Sequence, residues 1–143
     1  MKTKHPASVY LSEYTEIRAR IDSLQETLAD LRSMAQRAAP QLFGDRVKTT
    51  RKTSRAEDTI LRIEETERRI LSSIEHLAEC LDMRLWLIEQ LDDEREKLLL
   101  TLRYIQGLSF TKISMKMNYG ESQTYLIHQH ALDNLWAIHQ KKE

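Results

Sequence analysis

Tyr10, Tyr14, Ile17, Ile21, Leu24, Leu28, Leu31 and Ala35 follow one another at intervals of 4, 3, 4, 3, 4, 3 and 4 residues. That alternation draws one narrow apolar stripe along a helix, the seam a coiled coil needs. Arg18, Arg20, Asp22 and Asp30 fall off it. A helix is therefore predicted over about 8–37, with Tyr14, Ile17, Ile21, Leu24, Leu28 and Leu31 as the oligomer seam. Pro40 and Gly44 break the pattern, and a basic linker loop is expected over 39–53.

Ser54, with Glu57 three residues on, has the form of a capping box that opens a second helix. Ile60, Ile63, Ile70, Ile74, Leu77, Leu81, Ile88 and Leu91 continue one heptad frame, and Leu71, Ala78 and Leu85 widen it. A helix over 54–91 follows, broad enough to contact more than one neighbour. Glu67 and Arg84 occupy seam positions, either as buried charges that fix register or, the reading preferred here, because the stripe is locally exposed at both. Asp92 or Asp93 is placed to cap a third helix built on Leu98, Leu99, Leu102 and Ile105, with Gly107 just past its end. Ser109 is placed to cap a fourth, short one, "FTKISMKM", buried through Phe110, Ile113 and Met117. A fifth is predicted from about 121 to 140.

The expected fold is all-α: a long N-terminal helical hairpin or coiled coil over 1–91, then a helix-turn-helix domain over 92–143. Three glycines and two prolines in 143 residues fit that picture. No apolar run reaches the roughly 18 residues of a membrane span, and "MKTKHPASVY" lacks the apolar core of a signal peptide. Cys80 is the single cysteine and cannot form an internal disulfide. A cytoplasmic protein without membrane contact is expected.

Net charge is zero, but "RVKTTRKTSR" at 46–55 holds five basic residues and no acid. Such a cluster either attracts phosphates or is an ordinary solvated basic loop. Catalysis has little support. His128 and His130 project about 200° apart on a helix and cannot share a ligand face. His76 and Cys80 can, but two ligands do not make a metal site. There is no Gly-rich phosphate loop and no nucleophile elbow. The expectation is a protein that is not an enzyme and carries no metal or cofactor.

In "KISMKMNYGESQTYLIHQHAL", 112–132, Gly120 separates two runs with helical spacing. Helix, short turn with glycine, helix is the grammar of a helix-turn-helix. Gly120 is expected to supply unusual backbone angles or to act as an N-cap. Thr124, Ile127, Ala131, Leu135 and Ile138 fall on one face of the second helix, extended by Leu132 and Trp136. Ser122, Gln123, Leu126, Gln129 and His130 fall on the other. Glutamine can bond adenine bidentately, and an apolar tip can touch a thymine methyl.

The run "LLLTLRYIQGLSFTKISMKMNYGESQTYLIHQHALDNL", 98–135, resembles region four of bacterial sigma factors. The layout as a whole resembles phage-encoded late-gene transcription regulators of the ArpU and RinA types. The resemblance implies a double-stranded DNA-binding regulator of phage or prophage genes, with bacterial RNA polymerase as a second partner. Ser122, Gln123, Leu126 and Gln129 would read bases. The family usually has a branched aliphatic where Thr124 stands, so its hydroxyl is expected to be buried and only partly satisfied. It also usually has several basic residues on the recognition helix, which has none here before Lys141. Phosphate contacts then fall to Lys112, Lys116, Arg103, Lys48, Arg51 and Lys52. A homodimer or higher oligomer would recover affinity through two copies. The alternative is a helical adaptor for RNA polymerase or a phage packaging partner.

Overall fold

The computed structural model describes residues 4–42 and 49–142, with side chains over 4–37 and 54–141. The fold is all-α. Its elements are α1 (Pro6–Leu42), α2 (Thr49–Glu89), α3 (Glu94–Leu100), a π turn (Thr101–Ile105), α4 (Phe110–Met117) and α5 (Glu121–Lys142).

Both long helices overrun their expected limits. α1 passes through Pro40, where the missing N–H costs only one bond close to the helix end. α2 begins at Thr49, because "TTRKT" contains neither glycine nor proline to stop it. The expected 39–53 loop is thus helical at both of its ends, and Ser54 lies inside α2 rather than capping it. Lys48 lies outside the described residues, as do the side chains of Arg51 and Lys52. At its other end α2 tightens: Gln90 N–H bonds Leu87 O and Leu91 N–H bonds Ile88 O, both at 3.1 Å.

The chain packs as two compact units, one of residues 1–17 with 77–143 and one of residues 18–76. This differs from the expected division at residue 91. The reason lies in the ends of the long helices. Ala7 and Leu11 of α1, with Leu87 and Ile88 of α2, enter the same core as Leu99, Leu100, Leu102, Ile113, Ile127, Ala131, Leu132 and Leu135. Each is within a few percent of complete burial. A helix-turn-helix module of about fifty residues buries little surface by itself, and the helix ends supply the missing layer.

Of the predicted seam, Tyr14 and Ile17 are buried in the first unit and Ile21 and Leu28 in the second, with Leu24 and Leu31 half-buried. Arg84 takes the buried-charge alternative and not the exposed one. It is 4% exposed rather than solvated. Its guanidinium donates to Glu13 Oε2 at 2.6 Å and to Tyr10 O at 3.1 Å, and it lies 3.9 Å over the Tyr10 ring. Placed in the seam of two helices, such a charge is satisfied in one register only, since a slip would strand it. Glu67 is half-exposed and accepts from Arg32 at 3.0 Å, which makes it an ordinary surface pair.

Asp93 caps α3 by accepting from Arg95 N at 2.9 Å. Glu96 does not reach back to complete a capping box. It is buried, and both carboxylate oxygens accept from Asn134 Nδ2, at 3.0 and 3.1 Å. The π turn closes through Gln106 N–H to Thr101 O at 3.0 Å, and Gly107 follows at φ +73° in the expected left-handed conformation.

Candidate nucleic-acid interface

Ser109 caps α4 by accepting from Lys112 N at 3.3 Å. α4 buries Ile113 and Ser114 and half-buries Phe110 and Met117. Its other side carries Lys112, Met115 and Lys116 into solvent.

The turn is built on Asn118. That residue takes the left-handed conformation at φ 59°, and the next N–H, of Tyr119, reaches back to Ser114 O at 3.1 Å. Asparagine is the usual substitute for glycine at such a helix end. Gly120 is not left-handed, and a Cβ added to it would meet nothing within 4 Å. Its part is that of the residue preceding α5, where its carbonyl accepts from Thr124 N at 3.0 Å. The expectation that Gly120 supplies the unusual angles is therefore corrected: the sharp change of direction is at Asn118.

α5 turns the expected residues inward. Thr124, Ala131, Leu132 and Leu135 are at most 1% exposed and Ile127 7%. Thr124 is fully satisfied, contrary to expectation. Its hydroxyl donates to Gly120 O and accepts from Ser114 Oγ, both at 2.9 Å. A serine at the facing position of α4 gives this buried hydroxyl its partner. Recognising that match needs both helices at once.

Ser122, Gln123, Leu126 and Gln129 are all exposed on the outward side of α5, together with His130. Lys112 and Lys116 are exposed on α4. Arg103 is half-buried and committed to the fold: it donates to Leu108 O at 3.1 Å and lies 4.3 Å over the Phe110 ring. Phe110 in turn packs on Tyr125 and His128, with centroids at 4.6 and 4.9 Å.

His128 carries a role that its spacing to other histidines did not reveal. It is 8% exposed, 2.8 Å from the Tyr104 hydroxyl, and Tyr104 donates onward to Ser8 Oγ at 3.0 Å. This chain joins α5, the π turn and α1. His128 Nδ1 has no partner, so the Nε2–H tautomer is favoured: it leaves a bare lone pair buried rather than an N–H. Burial pushes the imidazole down to about 4, with the Arg103 and His5 charges acting in the same direction. Among the described residues no group of three or more His, Cys, Asp or Glu is arranged to hold a metal ion.

No family model, curated protein or solved structure matches the chain. What α4 and α5 can do follows from their own geometry. One helix is held by its neighbour through a hydroxyl pair. Its first two turns offer hydroxyl, amide and apolar groups to a partner, and cations stand on the adjacent helix.

Thr124→Val is expected to destabilise the protein by about 1–2 kcal/mol in urea unfolding, because the buried Ser114 hydroxyl loses its acceptor. Equal or greater stability would mean that the hydroxyl pair contributes nothing. The second expectation concerns pH. His128 is neutral in the folded chain down to about pH 4, whereas an unfolded histidine takes up its proton near 6.5. Its contribution is present above the unfolded value and lost as pH falls from 6.5 towards 4, by roughly 3 kcal/mol. His128→Gln should flatten this part of the stability–pH curve, and an unchanged slope would contradict the assignment.

Proposed function

We propose that this chain is a sequence-specific double-stranded DNA-binding transcription regulator of phage or prophage genes, acting in the cytoplasm as a homodimer or higher oligomer. The observation that carries the reading is the outward face of α5. Ser122, Gln123, Leu126 and Gln129 project from a helix whose inner face is pinned to α4 through Ser114 and Thr124. A helix so held can enter a major groove with its N-terminal residues at base edges. Gln123 and Gln129 supply the donor and acceptor pair that suits adenine, and Leu126 suits a thymine methyl.

Lys112 and Lys116 on α4 take phosphates, assisted by Lys48, Arg51 and Lys52 of the basic segment. Arg103 contributes less, because its guanidinium already holds Leu108 O and Phe110. Glu121 opens α5 and no cation follows before Lys141, so one copy binds weakly and pairing raises the affinity.

A second reading, an adaptor that contacts RNA polymerase or a phage packaging protein through the same module, is favoured by a different observation. Met115 is 74%, Leu126 62% and Tyr125 49% exposed, an apolar offering that suits protein as well as base edges.

The test is binding of wild type, Gln123→Ala and Lys116→Ala to matched and scrambled sites at two salt concentrations. Gln123→Ala should cost roughly 1–3 kcal/mol on the specific site and relax preference mainly at one base pair. Lys116→Ala should weaken all sequences alike and lower the salt slope by about one. Identical behaviour of the three proteins on both DNAs would favour the adaptor.

A further inference from the structure

The unit of residues 18–76 has more apolar surface than its two helices cover. Ile21, Leu28 and Ile70 are buried, whereas Ile60, Leu71 and Ile74 are 53%, 63% and 42% exposed. Ile60, Glu67, Leu71 and Ile74 follow at intervals of 7, 4 and 3 residues. Ile60, Glu67 and Ile74 are one position of the heptad frame that also holds Ile63 and Ile70, and Leu71 widens it, so these residues form the outer side of that stripe, next to the side on which Ile70 is buried. Arg68 and Glu75 stand along its outer edge, one heptad apart and both exposed. Neither forms an ion pair among the described residues. Their neighbours do: Arg69 holds Glu65 at 2.7 Å and Arg32 holds Glu67 at 3.0 Å.

We propose that a second copy of this chain seats on this seam with its α2 antiparallel, so that Leu71 of each copy packs against Ile74 of the other. In an antiparallel pair related by a two-fold axis, like edges meet. Arg68 of each copy then comes within about 3 Å, measured along the helix axis, of being level with Glu75 of the other, an offset an arginine side chain spans. One register thus matches the apolar pair and the two unmatched charges together. A parallel pair would set this edge against the opposite one, where Ile63 is half-buried and Ile70 buried, and both charges would stay unmatched. The polar Arg32–Glu67 pair within the seam penalises slipped registers, as a polar seam residue does in coiled coils.

The inference rests on the pairing of chains proposed above and not on DNA recognition, so its test contains no DNA. Sedimentation velocity is run on the full chain as wild type, Arg68→Glu, Glu75→Arg and the double variant. Wild type should be a dimer at micromolar concentration. Each single reversal places like charges together and should raise the dimer dissociation constant about tenfold or more. The double variant restores the match with the signs exchanged and should return to within about threefold of wild type. A monomeric wild type would overturn the pairing itself. Single variants as tight as wild type, or a double variant no tighter than the singles, would overturn this face and register while leaving dimerisation by another face intact.

Discussion

The structure depends on a core that no single segment of the chain can fill. Ala7 and Leu11 come from the start of α1, Leu87, Ile88 and Leu91 from the end of α2 and the residues after it, and the rest from α3, the π turn, α4 and α5. A short helix-turn-helix has too little apolar surface to exclude water from its own interior. The packing of α5 against α4 nevertheless needs a rigid support. Recruiting the ends of two long helices meets both demands. The same two helices also build the second unit, where α2 leaves Ile60, Leu71 and Ile74 exposed.

Within that core a few polar contacts select one arrangement among many hydrophobic ones. The Ser114–Thr124 hydroxyl pair fixes α5 against α4. The His128–Tyr104–Ser8 chain ties α5 to the π turn and to α1. Arg84, held by Glu13 and the Tyr10 carbonyl, sets how α1 and α2 lie against each other at their shared end. Each group is costly if left alone and inexpensive when paired, so each penalises alternatives more than it stabilises the native state.

Much of this was legible in the sequence, for definite reasons. Heptad spacing gave the two long helices, because a stripe of period 3.5 has no other comfortable conformation. Asp93, Gly107 and Ser109 marked helix ends through local bonds that depend only on neighbouring residues. The buried face of α5 and its exposed counterpart followed from helical period. What escaped was whatever depended on a distant partner. Spacing alone leaves Arg84 open between a break in the stripe and a buried charge, and the partner that decides it, Glu13, is far away in sequence. Thr124 looked like a misfit without Ser114, and His128 looked like half of a failed metal pair without Tyr104. Gly120 misled because composition made it conspicuous, while Asn118, two residues earlier, carries the positive φ. The start of α2 was missed because basic residues were read as loop, although nothing in them opposes a helix.

The outward groups on α5 and the uncovered apolar side of α2 are the surfaces on which the proposed DNA binding and pairing rest. The most direct measurement is sequencing of the DNA that co-purifies with the protein from cells carrying its home genome. Enrichment of a short recurring site, lost when Gln123 and Gln129 are both replaced by alanine, is the result this account predicts. Retained DNA indistinguishable from the input, with a polymerase or packaging protein captured in its place, would contradict it.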